Sequence, residues 1–428
     1  MAAALALLPL CLLRDATPDN ELRYLSIADE ALRNGSVWTF ANHGAAYADK
    51  PPLYLWLTMA ARALAAQWAM PLMALVSLAT MLLVGRVMDG WARPGLTMAQ
   101  RQAGLLMLFT CGFFPGLGIM LRMDMLMTLF IVLALREVYR MDAGRPTRRH
   151  EALLGLWTFL ALFTKGPYGV MIPLAASAVY LAWVGRLRSL RRIWGWPAWA
   201  VLGGLFALWI FAAWREGGPE YINNLLFHQT VDRAANAFTH ARPWWYYLVA
   251  VWYVMAPWSL LIAWLAIARR RSAASTPLRR MMLSTFAVTM VILSCVSSKL
   301  QVYLLPAIPF AVYFGASLLD GRRMLRAVKV LALSLLGLIF IAGLCIPMLN
   351  PMMGYGATAR ELAAKGPREV WVAESVRRGE NIDAYFPETT TVKTVDTSAP
   401  GFALPEGTAL ILPGTDGSKI RYIYEPNR

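Results

Sequence analysis

The stretch VLALSLLGLIFIAGLCIPML at residues 330–349 decides the class of fold, because it contains no charged residue. A helix needs roughly 20 mostly apolar residues to cross the hydrocarbon core of a bilayer, so this stretch predicts a transmembrane helix. Arg322, Arg323, Arg326 and Lys329 lie directly before it. Basic residues in short loops are retained on the cytoplasmic side of a membrane, which gives the predicted helix a direction.

The composition extends this pattern to the whole chain of 428 residues, of which 58% are hydrophobic and only 15% are charged. Such a chain is far more apolar than an ordinary soluble domain, so we expect it to lie in lipid. A net charge of +16 is also found in nucleic-acid-binding proteins, but here the arginines lie between apolar runs, and no nucleic-acid partner is predicted. Cys11, Cys111, Cys295 and Cys345 all lie in apolar segments, so neither a disulfide framework nor a cysteine metal motif is predicted.

The hydropathy pattern predicts about eleven membrane spans. These are residues 2–13, 68–88, 103–120, 125–139, 153–163, 168–184, 198–213, 246–268, 283–296, 304–319 and 330–349. The first is shorter than the roughly 20 residues that a span needs, which suggests a late start codon or a truncation. A signal peptide is the competing interpretation, but no basic residues precede this apolar run.

The loops between these spans are alternately rich and poor in arginine, which predicts their sides of the membrane. The arginine-rich loops, at 86–101, 140–149, 186–192, 269–280 and 322–329, are predicted to be cytoplasmic. The remaining segments, at 14–67, 121–124, around Lys165, 214–245, 297–303 and after 350, are then predicted to face outward. The expected fold is therefore an all-α polytopic membrane domain over residues 1–350, with 14–67 as its first outward loop.

Residues 351–428 are ordinary in polarity and are predicted to form a small, separate α/β domain outside the cytoplasm. Residues 358–365 have a helical pattern, whereas 369–373, 390–395 and 409–413 have the pattern of short strands.

The first outward loop contains two segments with acids and bases close together. One is Asp19-Asn20-Glu21-Leu22-Arg23-Tyr24, at the start of a predicted amphipathic helix in the membrane interface. The other, residues 47–54, contains Asp49 and Lys50 before two prolines that stiffen the backbone. Plain structural explanations remain open for both, since the first fits a helix cap and the second an interfacial anchor.

Further charges lie at the predicted outer ends of other spans. Arg122 and Asp124 share one short turn, and Lys165 and Lys299 end two other spans. Charges at such depths are costly and are usually paired or functional, although snorkelling explains any one of them. His240 precedes a belt of aromatic residues and is open to a structural, ligand or proton-transfer role.

In this order, these motifs resemble those of the GT-C superfamily, in particular the ArnT-type aminoarabinose transferases and the bacterial relatives of protein O-mannosyltransferases. The motifs that carry the resemblance are Glu21-Leu22-Arg23-Tyr24 with Ile27-Ala28-Asp29-Glu30, Asp49-Lys50-Pro51-Pro52-Leu53-Tyr54, Arg122-Met123-Asp124-Met125, residues 162–169 and 240–247, and Ser298-Lys299 with Tyr303-Leu304-Leu305-Pro306. The resemblance implies an inverting glycosyltransferase in the bacterial inner membrane, whose site faces the periplasm or cell exterior. The implied donor is a sugar on a polyprenyl phosphate, and the acceptor is a lipid such as lipid A, a glycan or a protein.

The resemblance also implies roles for individual residues. The implied catalytic acids are Asp19, Asp49 and Asp124; the implied donor-phosphate ligands are Lys50, Lys299, Arg23, Arg122 and Lys165; and the implied acceptor-side or supporting residues are Tyr24, Glu21, His240 and Tyr303. The chain departs from the family at Asn20, where members commonly have an aspartate. We therefore assign the acidic role to Asp19, one position earlier.

Several alternatives remain open at this stage. A hydroxyl acceptor needs a general base and an ionised phosphate acceptor hardly does, so Asp19 is either a base or a positioning group. A divalent cation is left open, because no strong metal-ligand spacing is present. The rival function is a membrane transporter or lipid flippase, which would place its charges along a substrate path near the bilayer midplane.

Overall fold

The computed structural model describes residues 1–144, 146–226, 241–398, 402–414, 418–424 and 426, and this part of the chain is mainly helical. Its α-helices are α1 Ala2–Leu13, α2 Arg23–Asn34, α3 Leu53–Ala65, α4 Ala69–Ala92, α5 Met98–Phe109, α6 Phe113–Leu117, α7 Asp124–Ala143, α8 Arg148–Lys165, α9 Tyr168–Trp183, α10 Leu190–Ile193, α11 Trp196–Asn223, α12 Tyr246–Val254, α13 Trp258–Ala268, α14 Arg270–Ala273, α15 Pro277–Cys295, α16 Ile308–Leu318, α17 Arg322–Met353 and α18 Gly356–Ala363. Tighter 3₁₀ turns cover Ala66–Trp68, Leu187–Ser189, Gln301–Ala307 and Gly379–Tyr385, and Pro18–Leu22 forms a π-helical turn.

Apolar helices make the chain a membrane protein, but they do not confirm the expected count of about eleven spans. Within the described residues, five stretches are long and apolar enough to cross a bilayer, and a sixth results if α12 and α13 form one bent span. The five are Leu53–Ala92, Trp196–Leu226, Pro277–Cys295, Gln301–Leu318 and Arg322–Met353. The apolar helices α1 and α9 are shorter.

Two predicted spans are broken. The span expected at 246–268 consists of α12 and α13, which meet at an angle of 110°. Pro257 lies at this break, and proline removes a backbone donor and disfavours helix in the residue before it. The span expected at 103–120 ends early, since Gly112 has a φ of 36°. A Cβ atom there would lie 2.2 Å from the carbonyl oxygen of Val254, so only glycine allows this close approach of the two chain segments.

The first outward loop is shorter than the predicted 14–67, because α3 already begins at Leu53. The α3 and α4 helices together form an apolar stretch of 40 residues. The amphipathic helix predicted after Asp19 is confirmed as α2, which buries Tyr24, Leu25 and Ile27. A short hairpin of two-residue strands, β1 Ala41–Asn42 and β2 Ala45–Ala46, then leads the chain towards Asp49 and Lys50.

The carboxyl-terminal segment forms a four-stranded sheet, whose strands are β3 Glu369–Ala373, β4 Thr391–Val395, β5 Thr408–Pro413 and β6 Ile420–Tyr424. The spatial order is β4-β3-β5-β6, in which β3 is parallel to β4 and β5, and β6 is antiparallel to β5. Three strands and α18 lie where the sequence predicted them, whereas β6 was not predicted.

This sheet does not stand apart from the rest of the molecule. Val370, Val372 and Ile411 of the sheet share one buried hydrophobic cluster with Leu22 and Ile27 of the first loop. The segment after residue 350 therefore packs onto residues 14–52, and both lie on the same side of the helical domain.

Candidate active site

A buried ion-pair centre forms where three helical segments meet. Asp124 is the first residue of α7, and its side chain is only 1% exposed. One carboxylate oxygen accepts a hydrogen bond from Nε of Arg122 at 3.2 Å, and the other binds Nζ of Lys165, the last residue of α8. The ammonium of Lys165 also lies 4.3 Å from the centre of the Tyr303 ring, a cation–π distance. The structure thus brings together four residues that the sequence predicted for the site.

The first outward loop covers this centre with a cation and several tyrosines. The guanidinium carbon of Arg23 lies 5.5 Å from the Tyr47 ring centre and 5.9 Å from the Tyr24 ring centre. Tyr24 packs edge-on against Tyr54, with 6.2 Å between their ring centres. Burial raises the pKa of the Tyr24 hydroxyl, although the charges of Arg122 and Arg23 oppose the shift. Tyr24 therefore lies within the electrostatic reach of both arginines.

The two arginines keep their charge in spite of their burial. Burial alone would lower the pKa of Arg122, but the Asp124 carboxylate outweighs it and the pKa is raised. Burial likewise opposes the charge of Arg23, and Tyr47, Tyr24 and Asp49 together raise its pKa. The region is therefore a fixed cluster of cations, which is suited to an anionic ligand.

Some buried polar atoms around this cluster have no hydrogen-bond partner within 3.5 Å among the described residues. They are Nε of Arg23 and the hydroxyl groups of Tyr47 and Tyr54. Leaving such a group unsatisfied costs about 1–3 kcal/mol, so native structures usually supply a water or a ligand there. One guanidinium N–H and two hydroxyl groups are a donor set that suits the oxygens of a phosphate.

A narrow apolar cleft lies beside Lys165 between the helices, but it is closed in this structure and has no room for a water molecule. It is lined by Met127, Lys165, Tyr168, Ile172, Leu293, Tyr303 and Pro306. The ring centres of Tyr168 and Tyr303 are 6.2 Å apart, and both rings flank the cleft. The side chains that line this cleft would have to move apart before it could admit a hydrocarbon chain.

Asp49 and Lys50 lie half-buried at the end of the segment that follows the hairpin. The charge of Asp49 acts on Arg23 and also on the hydroxyl of Tyr221 in α11. Asp49 therefore lies between the Arg23 side of the centre and α11. The two prolines that follow Lys50 lie directly before α3, and Pro52 is the N-cap residue of this helix.

Asp19 does not lie where we expected it, alongside Asp49 and Asp124. Its side chain is 47% exposed, and it accepts a hydrogen bond from Nε of Arg377 in the carboxyl-terminal segment at 2.8 Å. The neighbouring Asn20 instead accepts a hydrogen bond from Arg23 at 3.2 Å. The two side chains diverge because they lie in the same π-helical turn, where successive residues point in different directions.

Glu21 has a structural role that the sequence did not reveal. Its carboxylate, 1% exposed, receives two hydrogen bonds from Arg14 at 2.6 and 2.7 Å. It also accepts hydrogen bonds from the backbone and hydroxyl of Thr17 and from the backbone N–H of Leu121, each at 2.8 Å. Burial opposes the charge of Glu21, but Arg14 lowers its pKa below the usual value. Glu21 thus ties the first loop to the turn that carries Arg122.

Lys299 is buried, and its ammonium donates to the backbone carbonyls of Val296 and Arg242. Burial lowers its pKa. Lys299 therefore stabilises the turn after α15. The sequence predicted instead that this side chain faces outward and binds the donor phosphate. His240, the other predicted residue of this region, lies outside the described residues.

The sequence left a divalent cation open, and the described residues offer no cluster of ligands for one. They contain no group of three or more His, Cys, Asp or Glu side chains that could hold one. Each oxygen of Asp124 contacts a cationic side chain. Both oxygens therefore take part in ion pairs, and the neighbouring positive charges would repel a metal ion. These residues do not fit a resident divalent cation at Asp124.

Known proteins with similar sequences carry out sugar transfer. No family model matches the chain. An undecaprenyl phosphate-alpha-4-amino-4-deoxy-L-arabinose arabinosyl transferase of Pseudomonas fluorescens is 27% identical over 355 residues, which cover 79% of this chain and 59% of that protein. The Shewanella sediminis protein of the same name is 27% identical over 334 residues, 74% of this chain and 58% of that one. The chain thus spans less than two thirds of the length of these curated relatives.

Two solved structures resemble the fold. The Archaeoglobus fulgidus oligosaccharyltransferase, at 10% identity, superposes with a TM-score of 0.52 and covers 91% of this chain and 61% of its own. ArnT from Cupriavidus metallidurans bound to undecaprenyl phosphate, at 17% identity, gives a TM-score of 0.75 over 93% of this chain and 86% of its own. The chain therefore shares its fold with these two proteins. Its sequence and its fold are both similar to ArnT, which confirms the resemblance predicted from the motifs.

Proposed function

We propose that the chain is an inverting glycosyltransferase that moves a sugar from a polyprenyl-phosphate carrier to a lipid, glycan or protein acceptor. The observation that carries the proposal is the buried cluster of Arg23, Arg122 and Lys165 around Asp124 and the tyrosines, in a fold similar to ArnT. The curated relatives are named for transfer from an undecaprenyl-phosphate sugar, which supports the same donor class here.

In this reaction an acceptor oxygen forms a bond to the anomeric carbon, while the bond from that carbon to the phosphate oxygen breaks. The polyprenyl phosphate leaves with the electron pair, so negative charge increases on its oxygens. Fixed cations stabilise such a leaving group because they need no reorganisation as the charge develops. We assign this role to Arg23, Lys165 and Lys50, with Arg122 in support. The apolar cleft beside Lys165 would have to open to receive the first part of the prenyl chain.

We assign different roles to the acids. Asp124 holds Arg122 and Lys165 in place through its two oxygens and is therefore a positioning residue. Asp49, half-buried and within electrostatic reach of Arg23, is the better candidate for a contact with the acceptor. Asp19 is paired with Arg377 at the surface, so we propose that it joins the first loop to the carboxyl-terminal segment. The aspartate common in the family is replaced by Asn20, which faces Arg23.

We further propose that this site faces the periplasm or cell exterior from a bacterial inner membrane. The arginine-rich loops support this orientation through the retention of basic residues in the cytoplasm. The shared core of residues 14–52 and the carboxyl-terminal sheet adds a constraint, because both must lie on one side. A reporter that works only outside the cytoplasm should be active when it is fused after Gly407. If instead only a reporter that works in the cytoplasm were active at this position, the proposed orientation would be contradicted.

The direct test of function uses the purified chain in nanodiscs with synthetic polyprenyl-phosphate sugars, including aminoarabinose, and an extract of envelope lipids and glycans. Mass spectrometry should detect free polyprenyl phosphate and a glycosylated acceptor. Lys165→Met should lower the formation of both products by about 10²–10³, whereas Lys393→Met, at an exposed lysine paired with Glu369, should leave it unchanged. Movement of intact donor between leaflets without release of its sugar would favour the rival transporter.

A further inference from the structure

A groove runs along one exposed face of α17, at the opposite end of this helix from the candidate active site. Its volume is about 610 Å³, and its lining is Arg322, Arg323, Arg326, Ala327, Val330, Leu331 and Ser334. These positions recur at intervals of three and four residues and therefore share one face of the helix. The groove thus has a cationic part over the first turn and an aliphatic part further along.

The three arginines of the groove have no partner within the described part of the chain. All three side chains are exposed, and no hydrogen bond or ion pair to them is formed there. Some other arginines at the same ends of the helices are paired. Arg101 binds Asp89 at 2.9 Å, for example, and Arg186 binds Asp142 at 3.1 Å.

The nearest acid in sequence does not neutralise the groove. Asp320 precedes α17 but binds Arg269, at 3.3 Å. The first turn of α17 contains no acidic residue, although acids are the favoured residues at a helix amino terminus. Three like charges therefore remain together, in a place where an added negative charge would be stabilised by all of them.

The aliphatic part of the groove continues along the helix. Val330, Leu331, Leu338 and Ile341 are 59%, 45%, 62% and 58% exposed. At Gly337, within this stretch, no atom lies within 4 Å of the position of an added Cβ, so the surface is open there. The other side of the helix is covered by α1, where Gly343 contacts Pro9 and Leu10. The exposed side therefore faces the acyl chains of the bilayer.

We propose that this groove binds an anionic phospholipid of the surrounding leaflet. The phosphate and a negatively charged headgroup would lie on Arg322, Arg323 and Arg326, and one acyl chain would follow Val330 and Leu331 towards the bilayer centre. A zwitterionic phospholipid offers the same acyl chain, but its ammonium group would be repelled by the three guanidiniums. Basic clusters next to membrane helices are a known basis of selection for anionic lipids. The inference does not depend on the proposed sugar transfer.

The test compares two triple variants of the full-length protein. In the first, Arg322, Arg323 and Arg326 are changed to Gln. In the matched control, Arg188, Arg191 and Arg192, which are exposed in the turn and four-residue helix after α9, are changed to Gln. Both variants lose three positive charges from loops that the sequence places on one side of the membrane, and neither change touches the candidate active site.

Native mass spectrometry and thermal unfolding in detergent would be recorded with added phosphatidylglycerol, phosphatidylcholine or inorganic phosphate. Parent and control should retain phosphatidylglycerol and be stabilised by it, at least tenfold more strongly than by phosphatidylcholine. The groove variant should lose most of this preference. Equal preference in the groove variant, an equal loss in the control, or equal stabilisation by inorganic phosphate alone would each overturn the proposal.

Discussion

The centres around Glu21 and Asp124 are both buried carboxylates with cationic partners, and yet they differ in what those partners do. At Glu21, Arg14 is joined by Thr17 and a backbone N–H of the next turn, so the carboxylate is fully bound by the fold. At Asp124, the bound groups are the ends of Arg122 and Lys165, which are long side chains.

The two centres also differ in the buried polar atoms that surround them. Buried polar atoms without a partner lie beside the Asp124 side, on Arg23, Tyr47 and Tyr54. On the Glu21 side, both carboxylate oxygens are occupied, although Nε of Arg14 is also buried without a partner among the described residues. The comparison teaches that charge and burial alone do not identify a functional acid. A carboxylate that also accepts hydrogen bonds from the backbone of two segments holds the fold together, whereas one whose oxygens bind only the ends of two cationic side chains leaves those cations able to contact a ligand.

The largest expected effect follows from breaking the Glu21 centre. Glu21→Gln leaves Arg14 buried without its counter-charge, and removal of one partner of a buried pair costs roughly 3–5 kcal/mol. We expect a large fall in the unfolding temperature in detergent and a low yield. Glu361→Gln, at an exposed acid, is the control and should unfold like the parent. Unchanged stability of Glu21→Gln would mean that this centre does not hold the loop.

The next effect concerns the Asp124 centre and should appear in catalysis. Lys165→Met removes one proposed ligand of the leaving phosphate but leaves Asp124 paired with Arg122. Loss of one such electrostatic contact lowers turnover by about 10²–10³. We expect that loss in steady-state transfer assays, with a smaller change in unfolding temperature than for Glu21→Gln. Unchanged turnover would show that Lys165 does not bind the leaving phosphate.

The two acids of the first loop provide a third and smaller contrast. Asp19→Asn breaks an exposed pair with Arg377, so stability should fall by no more than about 1 kcal/mol and turnover should stay within a few fold. Asp49→Asn removes the acid proposed for the acceptor, and turnover should fall by about 10². Transfer rates and unfolding curves of both variants distinguish these outcomes. A severe loss for Asp19→Asn alone would restore the catalytic role predicted from sequence.

Apolar periodicity predicted much of the architecture, because burial in lipid constrains sequence strongly. The long helix through residues 330–349 and the strand at 369–373 are where the pattern indicated. The proximity of Asp124 and Lys165 also followed from the sequence, since both end spans on the same predicted face. These features depend on local composition, which a single sequence contains.

Other features depend on contacts that local composition does not record. The π-helical turn directs Asp19 to Arg377 and Asn20 to Arg23, and a one-residue difference in direction cannot be read from polarity. Arg14 is only seven residues from Glu21, but its role is visible only once the turn at Leu121 closes the site. The break at Gly112 similarly arises from the approach of a distant backbone.

A third carboxylate, the partly buried Asp383, sharpens the comparison through pH. It accepts a hydrogen bond from the Ser26 hydroxyl at 3.0 Å, and the same hydroxyl lies 3.2 Å from Nε2 of His43. No arginine binds Asp383 within the described residues, and its other oxygen is buried without a partner. Burial therefore raises its pKa, although His43 and Ser26 oppose the shift. Arg14 produces the opposite result at Glu21, whose pKa is lowered.

The two acids should consequently give pH dependences of opposite sign. Glu21 contributes stability that is present above its unfolded pKa and lost as the pH falls through its lower folded pKa. Asp383 behaves in the opposite way, because the folded state favours its protonated form. Its contribution to stability is fully present below the unfolded pKa and is lost as the pH rises through the raised folded pKa.

The last prediction tests this sign with Asp383→Asn, which keeps an acceptor for Ser26 and removes the charge. Unfolding temperatures would be measured between pH 4 and pH 8. Relative to the parent, the variant should gain stability as the pH rises, because only the parent has to charge a partly buried carboxylate, by about 1.4 kcal/mol for each pKa unit by which the fold raises that group. His43→Asn is the control, because Asn tolerates the left-handed backbone of His43, at a φ of 54°, and keeps the Asp383 charge. Its stability should therefore still fall relative to Asp383→Asn as the pH rises. A stability difference between parent and Asp383→Asn that stayed constant across this range would show that a hydrogen bond, and not burial of charge, decides the behaviour of Asp383.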